Sequence, residues 1–144
     1  MKKTLLTVLV FLGIAMTFSS CNRDKANLAI NNFVATYFPT SVVVANIKDG
    51  SDYEVTLDDY TRIDFNGRLF GKPEWEEVDC RHAATPTMVP SALIPAEIAN
   101  YVSRLHNDLP IVKLSKKTRG WDIELSNGME IEFDKRFNVV DFDD

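Results

Sequence analysis

The feature that most constrains the fold of this chain is an internal repeat. Shifted by 68 positions, the sequence aligns with itself without a gap from Ile30/Ile98 to Phe65/Phe133. The residue types agree as well as the spacing, which chance similarity between two amphipathic segments does not predict. We therefore expect one structural unit to occur twice. Besides Ile30/Ile98, the identical pairs are Asn32/Asn100, Val34/Val102, Val44/Val112, Lys48/Lys116, Leu57/Leu125, Ile63/Ile131 and Phe65/Phe133.

Each copy opens with the spacing of an amphipathic helix. In the first copy, apolar residues recur at three- and four-residue intervals until Pro39 ends the pattern. In the second copy, the helix is predicted to begin near Pro95, a favoured first-turn residue, and to end before Pro110. The predicted apolar positions are Leu28, Ile30, Phe33, Val34, Tyr37 and Phe38 in the first helix, and Ile98, Tyr101, Val102 and Leu105 in the second.

Strict alternation of apolar and polar residues then predicts four strands in each copy. Asp49-Gly50 and Asn127-Gly128 are pairs typical of tight turns between antiparallel strands. The predicted strands are Val42–Lys48, Ser51–Asp58, Tyr60–Asn66, Glu74–Cys80, Ile111–Lys117, Gly120–Ser126, Met129–Asp134 and Phe137–Phe142. The predicted fold is α+β, with two tandem repeats of a helix and a four-stranded antiparallel sheet.

The two repeats are expected to form one packed unit. A half of about 55 residues would bury only ~60% of its surface and would be marginally stable alone. The linker from Arg81 to Val89 is short, so the two sheets could join into a continuous one. The predicted domain spans 22–144, with the repeats at about 25–80 and 89–144. The first copy also carries a Gly- and Pro-rich insertion between Asn66 and Pro73.

The N-terminus is predicted to be a signal peptide covering residues 1–20. Lys2 and Lys3 precede an apolar run from Leu5 to Phe18, which is shorter than the ~20 residues of a membrane-spanning helix. Phe18-Ser19-Ser20-Cys21 resembles a bacterial lipobox, although Ser20 stands where Gly or Ala is usual. A diacylated Cys21 would hold the protein on a membrane. The alternative is an ordinary secretory cleavage site that happens to precede Cys21.

Charge and cysteine content narrow the classes of partner. Cleavage before Cys21 removes 20 of 144 residues and two of 16 basic residues, leaving 14 Lys and Arg against 21 Asp and Glu, a net charge of −7. This balance argues against nucleic acid as a partner, because phosphate binding needs clustered basic residues. If Cys21 carries lipid, Cys80 has no intrachain partner. Its acidic neighbours disfavour a thiolate, so we expect Cys80 to be a small buried hydrophobe.

No catalytic or cofactor motif is recognisable in the sequence. The two histidines, His82 and His106, lack a second ligand at metal-binding spacing. The chain has no Gly-x-Ser-x-Gly, no Gly-rich phosphate loop and no Cys-x-x-Cys. We therefore expect a non-enzyme without a cofactor, with calcium as the only candidate ion.

The polar side of the second predicted sheet is the strongest candidate site. Five carboxylates share this face, and like charges on paired strands destabilise one another. The positive charge that offsets this repulsion could come from Lys113 and from Lys116 or Lys117 on the adjacent strand, from a divalent cation, or from a basic partner. A simple solvated face is the remaining alternative. The candidate binding residues are Asp122, Glu124, Glu130, Glu132 and Asp134.

Several segments resemble the PepSY-like family of secreted Bacteroides-type proteins. In the first copy these are residues 53–57 (Tyr-Glu-Val-Thr-Leu), 62–65 (Arg-Ile-Asp-Phe) and 75–80 (Trp-Glu-Glu-Val-Asp-Cys). The second copy is more similar, through 89–95 (Val-Pro-Ser-Ala-Leu-Ile-Pro) and 121–134 (Trp-Asp-Ile-Glu-Leu-Ser-Asn-Gly-Met-Glu-Ile-Glu-Phe-Asp). The chain departs from the family at Asp59-Tyr60, where the turn usually has a glycine, and in the insertion after Asn66.

The resemblance implies a fold like that of the β-lactamase inhibitor protein, and a place in the periplasm or elsewhere in the cell envelope. It provides no catalytic residues to transfer. We predict a membrane-tethered binding or inhibitor-like module that recognises a protein or peptide through its exposed sheet face. The alternative is a calcium-responsive periplasmic protein that binds cations through acidic strand residues.

Overall fold

The computed structural model describes residues 23–67, 72–83 and 87–143. The predicted signal peptide and Cys21 lie outside the described residues, as do parts of the predicted insertion and linker. The described chain is an α+β protein with two α-helices and one eight-stranded antiparallel sheet.

Both helices lie where the apolar spacing predicts them. Helix α1 covers residues 23–37 and ends before Pro39. Helix α2 covers Ala96–Leu105, with Pro95 at its N-cap and His106 at its C-cap. A 3-10 turn, Ser91–Leu93, precedes α2. Among the described residues, no helix has the length and apolar content needed to cross a bilayer.

The eight strands lie in the sheet in the order of the sequence, within two residues of their predicted bounds. Buried Val78 pairs with buried Leu114 where the fourth and fifth strands meet. This junction makes the sheet continuous. The strands are β1 Val43–Asp49, β2 Asp52–Leu57, β3 Arg62–Asn66, β4 Glu74–Asp79, β5 Ile111–Lys117, β6 Gly120–Leu125, β7 Glu130–Asp134 and β8 Val139–Asp143.

One hydrophobic core lies between the helices and the inner face of the sheet. The ring of Phe33 on α1 packs edge-on against Phe65, with centroids 5.2 Å apart. Tyr101 on α2 packs in the same way against Phe133 at 5.4 Å. Each helix therefore covers strands from its own half of the chain. The outer face of the sheet carries mostly polar side chains, apart from the exposed Ile47 on β1.

The two halves share their ladder irregularities at a spacing of 68 residues. The β1–β2 pairing is irregular between Val43 and Ala45, and the β5–β6 pairing between Ile111 and Lys113. The turns after β2 and β6 also match. Tyr60 and Gly128 occupy the same turn position and both have positive φ, 72° and 91°.

Candidate interaction face

A line of carboxylates crosses the outer face of the sheet. Side chains that are direct cross-strand neighbours form one row from β2 to β8, interrupted on β5 by Ser115. Since neighbouring strands lie about 4.8 Å apart, the row is roughly 30 Å long. We call it the acidic row. Its members are Glu54, Asp64, Glu77, Asp122, Glu132 and Asp141.

A second row beside it has mixed charges in the middle of the sheet and only carboxylates at the β8 end. From β3 to β6 the signs alternate along the pairing. Glu130 on β7 then pairs with Asp143 on β8. The negative charge of the outer face is therefore concentrated over β7 and β8. The second row comprises Arg62, Asp79, Lys113, Glu124, Glu130 and Asp143.

Part of the repulsion on this face is offset by cations of the chain itself. Lys117 lies 3.4 Å from Asp122, and Lys113 lies 3.3 Å from Glu77. Both belong to the three lysines that the sequence predicted as cations opposing the carboxylate repulsion. The third, Lys116, points to the helix side, where its amine lies 3.8 Å from the centroid of Trp75.

Arg81, from the predicted linker, is the cation that sequence reasoning missed. Its guanidinium donates to both carboxylate oxygens of Asp79, at 3.0 and 2.7 Å, and to Glu124 at 2.8 Å. Burial alone would raise the pKa of Asp79, but the hydrogen bonds and charge of Arg81 outweigh it and hold that pKa below its usual value. No periodicity could have predicted this contact, because Arg81 lies beyond the end of β4.

The five predicted binding residues have different surroundings. Glu130 and Glu132 are exposed, whereas Asp122 and Glu124 are half-buried and ion-paired. The carboxylate of Asp134 is engaged in the β7–β8 turn. One of its oxygens accepts the backbone N–H groups of residues 136 and 138, at 2.7 and 2.9 Å, and the other accepts the Asn138 amide at 2.9 Å. These hydrogen bonds, those from Asn138 foremost, lower the pKa of Asp134.

The structure also adds carboxylates to the predicted set. Asp141 is the cross-strand neighbour of Glu132, and Asp143 that of Glu130. In the first half, Glu54 and Asp64 occupy the positions of Asp122 and Glu132, so the 68-residue spacing could have identified them. The pKa of Asp64 is raised, first by burial and then by the charges of neighbouring carboxylates. Burial, with the charges of Glu77 and Glu54 acting in the same direction, therefore disfavours the ionised form of Asp64.

Cys80 has the properties of a buried core residue. It is 3% exposed, and burial raises the pKa of its thiol to about 11, with Asp59 and Asp79 acting in the same direction. A thiol with so high a pKa is a poor nucleophile at neutral pH. Within 23–67, 72–83 and 87–143, no three His, Cys, Asp or Glu side chains are grouped so that they could hold a metal ion.

Comparison with known proteins places this architecture in a family. A family model described as "Putative beta-lactamase-inhibitor-like, PepSY-like" matches residues 51–141. A search of curated proteins found none that matches the chain.

Three solved structures are similar over most of their length. A protein of Bacteroides thetaiotaomicron, described as a "putative calcium-regulated periplasmic protein", is 32% identical with a TM-score of 0.71, and the match covers 85% of this chain and 93% of that one. A "putative periplasmic protein from DUF2874 family" of Bacteroides vulgatus is 30% identical (TM-score 0.67, covering 81% and 88%). A second B. vulgatus periplasmic protein, of unknown function, is 29% identical (0.68, covering 81% and 90%). Together with the sheet and its two covering helices, these matches show that the chain belongs to the PepSY-like, β-lactamase-inhibitor-like family.

Proposed function

We propose that this protein is a non-catalytic binding module of the cell envelope that recognises a basic protein or peptide through the outer face of its sheet. The observation that carries the proposal is the acidic row together with the exposed carboxylates over β7 and β8. Like charges on paired strands cost folding free energy. Binding of a partner with opposite charge relieves this repulsion. The negative field of the face also speeds association with such a partner.

Capture of a partner from envelope extract tests this proposal. The mature protein is immobilised as wild type and as Glu130→Lys/Glu132→Lys, which reverses two exposed carboxylates on the face. Asp24→Lys/Glu97→Lys is the matched control, since it changes net charge equally at exposed positions on α1 and α2. The first variant should lose the captured protein while the control keeps it. Equal capture by both variants, with unchanged melting temperatures, would refute the proposal.

The fold is further proposed to be two tandem copies of one helix-plus-four-strand unit. The shared ladder irregularities and the matching turns, all 68 residues apart, support this duplication. The acidic row then has a simple origin. Each copy supplies three carboxylates of the row, and the two sets form one line because the copies join edge to edge.

The protein is also proposed to be a periplasmic or outer-membrane lipoprotein, with residues 1–20 removed and Cys21 acylated. The lipobox resemblance and the periplasmic relatives support this assignment. Mass spectrometry of the mature N-terminus tests it. An unmodified Cys21, or cleavage at another residue, would contradict the anchor.

Calcium binding is the second candidate function. The relative from B. thetaiotaomicron is described as calcium-regulated, and Asp64 lies between Glu54 and Glu77 in the acidic row, whose charges a bound cation would offset. If calcium binds, millimolar calcium should raise the melting temperature more than sodium chloride of matched ionic strength does. A flat calorimetric titration would exclude this function.

A further inference from the structure

A cleft of about 950 Å³ lies on the helix side of the sheet, opposite the acidic row. It is bounded by α1, the β1–β2 hairpin and the start of β4. Aromatic rings form its floor. The ring of Phe33 lies 4.7 Å from that of Tyr37 and 6.2 Å from that of Trp75, centroid to centroid. All three rings are only half-buried, so they offer carbon surface to whatever enters the cleft.

The charges around this floor are opposite to those of the protein as a whole. Among the described residues, five cationic side chains and a single carboxylate, Glu74, line the cleft, whereas the chain carries a net charge of −5. A concave surface lined mainly by one sign of charge concentrates ligands of the other sign. The lining cations are Arg23, Lys25, Lys48, Lys72 and Lys116.

Two of these lysines lie directly against the rings. The amine of Lys116 is 3.8 Å from the Trp75 centroid, and that of Lys48 is 5.8 Å from the Tyr53 centroid. Cation–π attraction holds an ammonium in such a position. The cleft therefore presents positive charge and apolar surface side by side.

The rim of the cleft is fixed by close backbone packing. The N–H of Gly67 donates to Asp52 at 3.2 Å. A Cβ at Gly67 would lie 1.6 Å from the carbonyl oxygen of Ser51, so only glycine allows this approach. The end of β3 is thereby held against the hairpin turn.

We propose that the cleft binds an amphiphilic anion, with its apolar body against Phe33, Tyr37 and Trp75 and its acidic group beside Lys48 and Lys72. A neutral apolar molecule would leave the cations unused, and a basic peptide would be repelled. The site goes beyond the proposed function because it lies on the other face of the sheet. Its failure would leave the sheet-face proposal intact.

Calorimetry with three amphiphiles of one chain length tests the proposal, using the mature protein below each micelle concentration. Dodecanoate should bind saturably at one site, and dodecanol and dodecyltrimethylammonium at least about tenfold more weakly, as expected for the loss of two charge contacts. In a Trp121→Phe background, the fluorescence of Trp75 should follow the dodecanoate titration.

Charge variants locate the site. Lys48→Gln/Lys72→Gln should weaken dodecanoate binding about tenfold, since both side chains are exposed and their removal leaves the core intact. The matched control Lys135→Gln/Arg136→Gln, in the β7–β8 turn, should bind as the wild type does. Absence of dodecanoate binding, equal affinity for the cationic amphiphile, or an unchanged affinity in the first variant would each overturn the proposal.

Discussion

At the scale of single residues, the turn after β2 carries strain that its counterpart after β6 avoids. In both turns the first residue makes equivalent hydrogen bonds. The N–H of Leu57 donates to the carbonyl of Thr61 at 2.9 Å, as that of Leu125 does to Met129 at 2.9 Å, and each leucine carbonyl accepts from the residue three positions on. The position with positive φ is a tyrosine in one turn and a glycine in the other. Side chains with a Cβ adopt this conformation at a cost of roughly 1–2 kcal/mol.

Replacement of Tyr60 by glycine should therefore stabilise the protein. The relief of backbone strain exceeds the added entropy of an unfolded glycine, so Tyr60→Gly should raise the free energy of unfolding by about 0.5 kcal/mol. Tyr60 is 61% exposed, and little packing is lost. Gly128→Ala should lower the free energy of unfolding by about 1 kcal/mol, although the Cβ of the alanine would meet no atom within 4 Å. Urea denaturation measures both. A destabilised Tyr60→Gly would contradict this account of the turn.

Asp64 should make stability depend on pH in an unusual direction. Its pKa is raised in the folded state, so the fold prefers the protonated acid. This contribution is fully present below the unfolded pKa of 3.8 and is lost as pH rises through the raised folded pKa. Asp64→Asn should therefore raise the free energy of unfolding by a few tenths of a kcal/mol at pH 7 and leave it unchanged at pH 3. Urea midpoints at both pH values check this, and a gain in the free energy of unfolding that does not vary with pH would show that the charge of Asp64 is not its cause.

Cys80 gives a further test at this scale. Because the thiol is buried and its pKa is about 11, we expect no reaction with a mild thiol reagent in the native state and full reaction after unfolding. The labelled mass of the protein with and without denaturant measures this. Rapid native labelling would contradict the assignment of Cys80 to the core.

At the scale of elements, periodicity predicted which residues share a face but not what they touch. Alternation placed Ile123 and Ile131 in the core, and both are buried. Alternation did not predict that Asp134 caps a turn. The sequence pattern of an aspartate at a strand end is the same whether its oxygens face solvent or accept hydrogen bonds from the next turn. The short linker indicated that the two sheets could join, but the register of β4 against β5 could not be derived from the sequence pattern.

The β4–β5 junction should make the two halves unfold together. Leu114 is fully buried and pairs with Val78 at the centre of the sheet. Leu114→Ala should cost about 2–5 kcal/mol and still leave a single transition. Trp75 and Trp121, whose ring centroids lie 6.2 Å apart, report on the junction between the halves in variants that retain one of them. Their fluorescence transitions should coincide with that of circular dichroism, whereas separated midpoints would show that the halves are independent.

At the scale of the whole molecule, the two faces of the sheet have opposite electrostatic character. The outer face carries the acidic row, and the helix side carries a cleft lined by five cations. The sequence could show the acidic alternation but not the cleft. The cations of the cleft come from α1, β1, β5 and the segment before β4, and only folding brings them together.

Carboxyl footprinting of the protein loaded with partner tests the central claim most directly. The immobilised mature chain, with and without protein captured from envelope extract, is modified with a carbodiimide and a neutral amine, and modified carboxylates are identified by mass spectrometry. The account predicts that Glu130, Glu132 and Asp141 are protected by the partner while Asp24 and Glu97 react as before. Protection confined to Asp24 and Glu97, with the acidic row still fully reactive, would contradict it.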